Sequence, residues 1–180
     1  MEKGQKLDSD IYMENLIKEN GNSEIILATE EDPEFRKDFP DGSFIESKIE
    51  DITEEENPTT NENSGSEDVM LMASKIEQTG GTQEYRTLKI SNTAPWGTMS
   101  FRVKVYFPLQ GYAKIQQAYD WYYLGAVSGT EYKGIYRASE TASQDAVAIY
   151  KLQIGLKGLG YLAKLEFRMR DGRMWTTYSS

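Results

Sequence analysis

The 180-residue chain contains neither cysteine nor histidine. Without cysteine there is no disulfide, no thiolate nucleophile and no Cys-ligated metal. Without histidine the commonest general base and the commonest metal ligand are both missing. Ser-His-Asp triads, Cys-His dyads and His-based metal sites are excluded by composition alone. Long apolar runs are lacking too, and none comes near the ~20 residues a membrane-spanning helix requires. The first residues, Met1-Glu2-Lys3-Gly4, lead into polar sequence and not into the apolar core of a signal peptide. Gly155-x-x-Gly158-x-Gly160 has no Gly-Lys-Ser/Thr and no helix pattern after it, so it reads as turn glycine and not as a phosphate loop.

Aromatic and basic residues are scarce in one half only. Residues 1–75 hold 21 acidic, 7 basic and 4 aromatic residues; residues 76–180 hold 8 acidic, 13 basic and 17 aromatic. The net charge of −9 is therefore −14 in one half and +5 in the other. An acidic, aromatic-poor segment buries too little apolar surface to offset its chain entropy. This contrast predicts a largely disordered acidic arm over 1–68, with a short helix at 9–20, and a β domain over 69–180. Within the arm, 51–68 reads as a linker: Glu54-Glu55-Glu56 and the polar run after it show no periodicity. Its acids lack the Asp-x-Asp-x-Asp-Gly spacing of a calcium loop and read as a solvated tract. Residues 23–29, with Ile25, Ile26 and Leu27, read as a candidate strand or sticky segment, and Phe44, Ile45, Ile49 and Ile52 are scattered apolar points in acidic sequence.

The strongest local signal is 98–110. Met99, Phe101, Val103, Val105 and Phe107 share one parity, and Ser100, Arg102, Lys104 and Tyr106 the other. A strand reverses its side chains at every residue, so this pattern gives one apolar face. Pro108 cannot donate to a ladder and ends the strand. Residues 145–156 and 161–169 alternate in the same way. Asp171-Gly172 between two strands signals a hairpin whose central residues need positive φ. Phe101, Val103, Val105, Leu152, Ile154, Leu165 and Phe167 are expected to form the core. About seven closely spaced strands without a βαβ rhythm predict an all-β fold, an antiparallel β-sandwich or barrel.

Gly80-Gly81-Thr82-Gln83-Glu84-Tyr85, then Trp96 shortly before Phe101-x-Val103-x-Val105, then Tyr150-Lys-Leu-x-Ile-Gly155-Leu156 and a terminal hairpin complete a pattern. Over residues 79–180 it resembles a family of uncharacterised secreted β-rich domains of Gram-positive bacteria. The resemblance implies an exported protein, extracellular or at the cell surface. It implies no activity and carries over no catalytic residue.

For chemistry, two function classes remain. One is a non-catalytic binding module using the aromatic set Trp96, Tyr119, Trp121, Tyr122, Tyr123, Tyr132 and Tyr136, because aromatic rings form platforms for sugars and peptides. The competing reading of these rings is core filling and sheet paving. The other class is a carbohydrate-active hydrolase with a carboxylate pair drawn from Asp120, Glu131, Glu140, Asp145, Glu166 and Asp171, among which Asp120, next to Trp121, is the acid in an aromatic setting. Glu166, between Lys164 and Arg168, reads as an ion-pair partner. No catalytic residue, metal site or cofactor is assigned. The expected partner is a protein or a cell-surface polymer. Nucleic acid is not expected, because an acidic arm shares the chain with the basic half.

Overall fold

Alternating side chains build nearly every element. The computed structural model describes residues 7–19, 25–56, 76–78, 81–125, 127–156 and 159–179. In chain order the elements are helix α1 (Asp8–Glu19), β1 (Ile25–Thr29), β2 (Glu34–Asp38), β3 (Phe44–Asp51), the four-residue helix α2 (Thr53–Glu56) and β4 (Ile76–Gln78). Seven further strands follow: β5 (Gly81–Ala94), β6 (Gly97–Phe107), β7 (Lys114–Gly125), β8 (Val127–Arg137), β9 (Ala146–Leu156), β10 (Leu159–Arg170) and β11 (Arg173–Ser179).

The strands form two antiparallel sheets stacked as a sandwich and not closed into a barrel. The first has the order β1-β11-β10-β9-β8; the second has the order β2-β3-β5-β6-β7, with β4 also paired to β5. The chain crosses between sheets at β1–β2 and at β7–β8, so each crossing joins two sheet edges. The expected core is present. Phe101, Val103 and Val105 of the second sheet share one buried cluster with Leu152, Ile154, Leu165 and Phe167 of the first. β6 ends at Phe107, just before Pro108. The β10–β11 turn holds Asp171 at φ 52° and Gly172 at φ 74°, as the Asp-Gly signal requires.

The expectation of a disordered arm over 1–68 is corrected by the pairing of 25–51. β1 pairs with β11, the last strand of the chain. β3 pairs with β5, from Glu46↔Thr93 to Asp51↔Leu88, and β2 pairs with β3. Among the described residues there are eleven strands where about seven were expected, and three of the added ones are β1, β2 and β3. The physical reason is that a strand needs only one apolar face. Ile45, Ser47 and Ile49 point inward and are buried, while Glu46, Lys48 and Glu50 point outward. The outward acids meet cations: Arg36 Nη1 lies 3.1 Å from Glu46, and Lys89 Nζ lies 3.2 Å from Glu50. The expected strand at 69–73 and the acidic stretch at 57–68 lie outside the described residues.

α1 matches the expected helix at 9–20 within a residue at each end. Its first amides are satisfied from the β2–β3 turn. Asp8 N donates to Asp41 Oδ2 (2.8 Å) and Ser9 N donates to Ser43 Oγ (3.3 Å). Met13 is buried, and the Tyr12 ring lies 5.5 Å from Phe39 under the Lys37 ammonium. The helix thus closes the β2–β3 end of the sandwich.

Candidate binding face

β7 decides which aromatic rings face solvent. Its pairing with β6 shifts once between Val105↔Ile115 and Lys104↔Gln117, and again between Arg102↔Tyr119 and Ser100↔Tyr122. The second bulge holds Asp120 at φ 53°, a left-handed conformation that Asp tolerates better than most residues. One extra residue inverts the facing of everything after it. Tyr119 therefore points outward, Trp121 and Tyr123 inward, and Tyr122 and Leu124 outward again.

The seven aromatic residues consequently do not form one platform. Trp121 stacks on buried Phe101 (4.7 Å between centroids) and meets Tyr150 edge-on at 5.3 Å. Trp96, in the β5–β6 turn, stacks between Tyr123 and Tyr178. Tyr123 Oη donates to the Trp96 carbonyl at 2.9 Å. Gly97 and Gly125 allow this close packing: a Cβ on Gly97, at φ 140°, would lie 2.2 Å from the Leu124 carbonyl oxygen. Burial pushes the Tyr123 and Tyr150 phenols up from their ordinary range, Tyr123 further through its neighbour Tyr150. These rings fill the core. Tyr132 and Tyr136 lie on β8, in the other sheet, and are exposed. Tyr132 Oη donates to the Ile135 carbonyl (3.3 Å), and the Arg137 guanidinium lies 5.8 Å from the Tyr136 ring.

The outer face of the second sheet collects the rest. Pairing places Thr93, Thr98 and Leu124 in one row, Ser91, Ser100 and Tyr122 in the next, then Lys89, Arg102 and Tyr119, then Thr87, Lys104 and Gln117. Leu124 is 63% exposed and Tyr122 49% exposed, two residues apart on one side of β7. A strip of small hydroxyl residues beside two large exposed side chains is an open, flat surface. Farther along, Tyr85 and Tyr106 pack together at 4.7 Å.

Over the cationic row lies α2, which the sequence placed in a solvated linker. The Glu56 carboxylate accepts hydrogen bonds from Tyr119 Oη (2.7 and 2.6 Å) and from Arg102 Nη1 (2.8 Å), and Lys104 Nζ lies 3.5 Å away. Burial pushes the Glu56 carboxyl up, but the bonds from Tyr119 and Arg102 and the charge of Lys104 outweigh it, so it sits below its ordinary range. Burial first, then the bond to Glu56 and its charge, raise the Tyr119 phenol well above its ordinary range. The α2 turn starts from firm anchors. Ile52 is buried and its N donates to the Thr87 carbonyl (2.8 Å); Thr87 N donates to Thr53 Oγ1 (2.9 Å).

Asp120 Oδ2 lies 2.9 Å from Arg102 Nε, and the Glu131 side chain lies outside the described residues. Among the described residues no group of three or more carboxylates is arranged to hold a metal ion, and no helix is long and apolar enough to cross a membrane. Glu166 is an ion-pair partner as expected, yet it is buried on the outer face of the first sheet. Its carboxylate is held by Lys164 (3.0 Å) and Arg168 (2.6 Å) on its own strand and by the Thr177 hydroxyl (3.3 Å) across the ladder. A shallow groove of about 340 Å³ between Leu7, Phe44 and Ala94–Pro95 lies at the α1 end.

No family model matches the sequence, and no curated protein does either. Among solved structures, a hypothetical protein from Listeria monocytogenes EGD-e is similar in outline, with a TM-score of 0.41 and 15% identity over 86% of this chain and 98% of that one. A likeness of that extent carries no argument about function.

Proposed function

We propose that the protein is a non-catalytic binding module, secreted or displayed at the cell surface, whose working surface is the outer face of the second sheet. The observation that carries this reading is the exposure of Tyr122 and Leu124 beside the strip Thr93, Thr98, Ser91 and Ser100. Large apolar side chains in a fixed, flat setting supply contact area at low entropic cost, and neighbouring hydroxyls supply orientation. The first sheet's outer face is less suited, because its charges are already paired with one another. The partner on this reading is a protein or a cell-surface polymer. The extracellular setting follows from the resemblance of residues 79–180 to secreted Gram-positive domains. The test is a binding screen of the full chain against glycans, cell-wall preparations and proteins. Any ligand found is then re-measured with Tyr122→Ser and Leu124→Ser together. Loss of binding supports the reading, and unchanged affinity removes it.

A further inference from the structure

We propose that Arg102, Lys104 and Tyr119 form a carboxylate-binding subsite for an acidic peptide segment of a partner protein, with Glu56 as its resident, displaceable occupant. This assignment rests on the reading of that face as the binding surface and adds the chemistry of one ligand group.

The subsite is built by β6 and β7 without help from α2. Arg102 and Lys104 are two residues apart on one strand face, and Tyr119 is the cross-strand partner of Arg102. All three present donors: a guanidinium, an ammonium and a phenolic O–H. Such a set, with two cations in it, suits a carboxylate and disfavours an amine or a metal ion. Its fit to a carboxylate is on display, since Glu56 takes bonds from Tyr119 and Arg102 at once. The occupant is moreover a Glu within the peptide run Glu54-Glu55-Glu56, so the geometry already admits a peptide-borne acid.

The hold on this occupant is lopsided. The start of α2 is fixed by Ile52, Thr53 and Asp51, which also accepts from Arg86 Nε at 2.9 Å. The helix itself has no buried residue. A single helical turn has little intrinsic stability. Among the described residues, its far end is held by the Glu56 carboxylate and by a backbone bond from Glu56 N to the Ile52 carbonyl (3.2 Å). An incoming acid exchanges one carboxylate for another and leaves the anchors in place. Tyr122 and Leu124 lie farther along the same face, where apolar side chains of the incoming segment find contact. Asp120, beside Arg102, disfavours a second acid there and limits the ligand's register.

Tethering gives Glu56 an effective concentration of the order of millimolar, so the native chain competes with its own ligand. The experiment uses the full chain, its Glu56→Gln variant and the exposed-site control Glu55→Gln. The probe is a fluorescein-labelled peptide of the sequence Asp-Ile-Thr-Glu-Glu-Glu-Asn, read by anisotropy at low salt. Glu56→Gln is expected to bind it about 3-fold more tightly than the native chain, with Glu55→Gln unchanged. Adding Arg102→Gln to Glu56→Gln is expected to abolish the gain. Equal affinity of Glu56→Gln and the native chain overturns the inference, as does a gain that survives Arg102→Gln. If Glu56→Gln does not fold, amide exchange in the native chain decides. Saturating peptide must speed exchange at Glu56, and unchanged exchange overturns the proposal. An oligogalacturonate that reproduces the gain when the peptide does not overturns the peptide assignment. If the subsite fails while the Tyr122 and Leu124 variant still loses a screened ligand, the wider reading of the face stands without it.

Discussion

The two outer faces of the sandwich both carry charge, yet they use it differently. On the first sheet the partners are near one another in sequence and space. Glu166 is 2% exposed and is satisfied by Lys164, Arg168 and Thr177, and Arg168 also reaches Asp145 at 3.1 Å. On the second sheet, the β6 cations Arg102 and Lys104 share an anion from α2, more than forty residues earlier. The first face is a closed network and the second a surface with a removable component. The same residue types can thus seal a sheet or prepare it for a partner, depending on whether the counter-charge belongs to the sheet.

The largest expected effect strikes the core on which both faces stand. Phe101→Ala removes the ring beneath Trp121 and is expected to cost about 3–5 kcal/mol. A denaturation midpoint that does not move would contradict the packing of Trp121 on Phe101.

The comparison itself is sharpened by Glu166→Ala against Glu56→Gln. Removing one member of a buried ion network leaves charges without partners and costs about 3–5 kcal/mol. Glu56 sits among partly exposed cations, so its replacement is expected to cost about 0–1 kcal/mol. Urea denaturation of both variants checks the ratio, and similar losses would erase the distinction between the faces. Between these in size is Gly97→Ala. Its Cβ meets the Leu124 carbonyl and its φ suits glycine, which predicts a loss of about 1–3 kcal/mol by the same measurement.

A smaller effect is pH-dependent. The Glu56 carboxyl is held below its ordinary value in the folded chain. Its contribution to stability is therefore present above the unfolded-state value of about 4.3, and is lost as pH falls through the lower folded value. The stability difference between the native chain and Glu56→Gln should shrink toward zero on acidification. Tyr119 works in the opposite direction: its raised phenol stabilises the fold below the ordinary tyrosine range and loses that contribution as pH rises beyond it. Thermal melts across both ranges test the two signs, and a difference independent of pH would contradict the Glu56 contacts.

Much of the fold is legible in local alternation. β6, β9, β10 and the Asp171-Gly172 turn declare themselves, because each is specified by residues adjacent in sequence. β1 shows in its run of Ile25, Ile26 and Leu27, whereas β2 and β3 are hidden by a measure of composition, which averages Ile45 and Ile49 with the acids between them. The face was harder to read. Asp120 looks like an acid in an aromatic stretch, but as a bulge residue it turns Trp121 into the core and leaves Tyr122 outside. No alternation rule locates that step, although an Asp interrupting an aromatic strand is a hint of it. Glu56 was unreadable for a different reason: its partners Tyr119 and Arg102 are set by tertiary packing, and the run Glu54-Glu55-Glu56 has no periodicity of its own.

The most direct test concerns which face meets a partner. Binding of the full chain to Gram-positive cell-wall preparations and to a protein array is compared with two face variants of equal severity. One carries Tyr122→Ser and Leu124→Ser, and the other Tyr132→Ser and Tyr136→Ser on the first sheet. Surface changes of this kind usually alter stability by less than about 0.5 kcal/mol, so binding is read on folded protein. The predicted result is a loss of at least ~10-fold in affinity for the first variant, equivalent to about 1.4 kcal/mol, with the second unchanged. Loss in the second variant with the first intact would contradict the assignment of the working face.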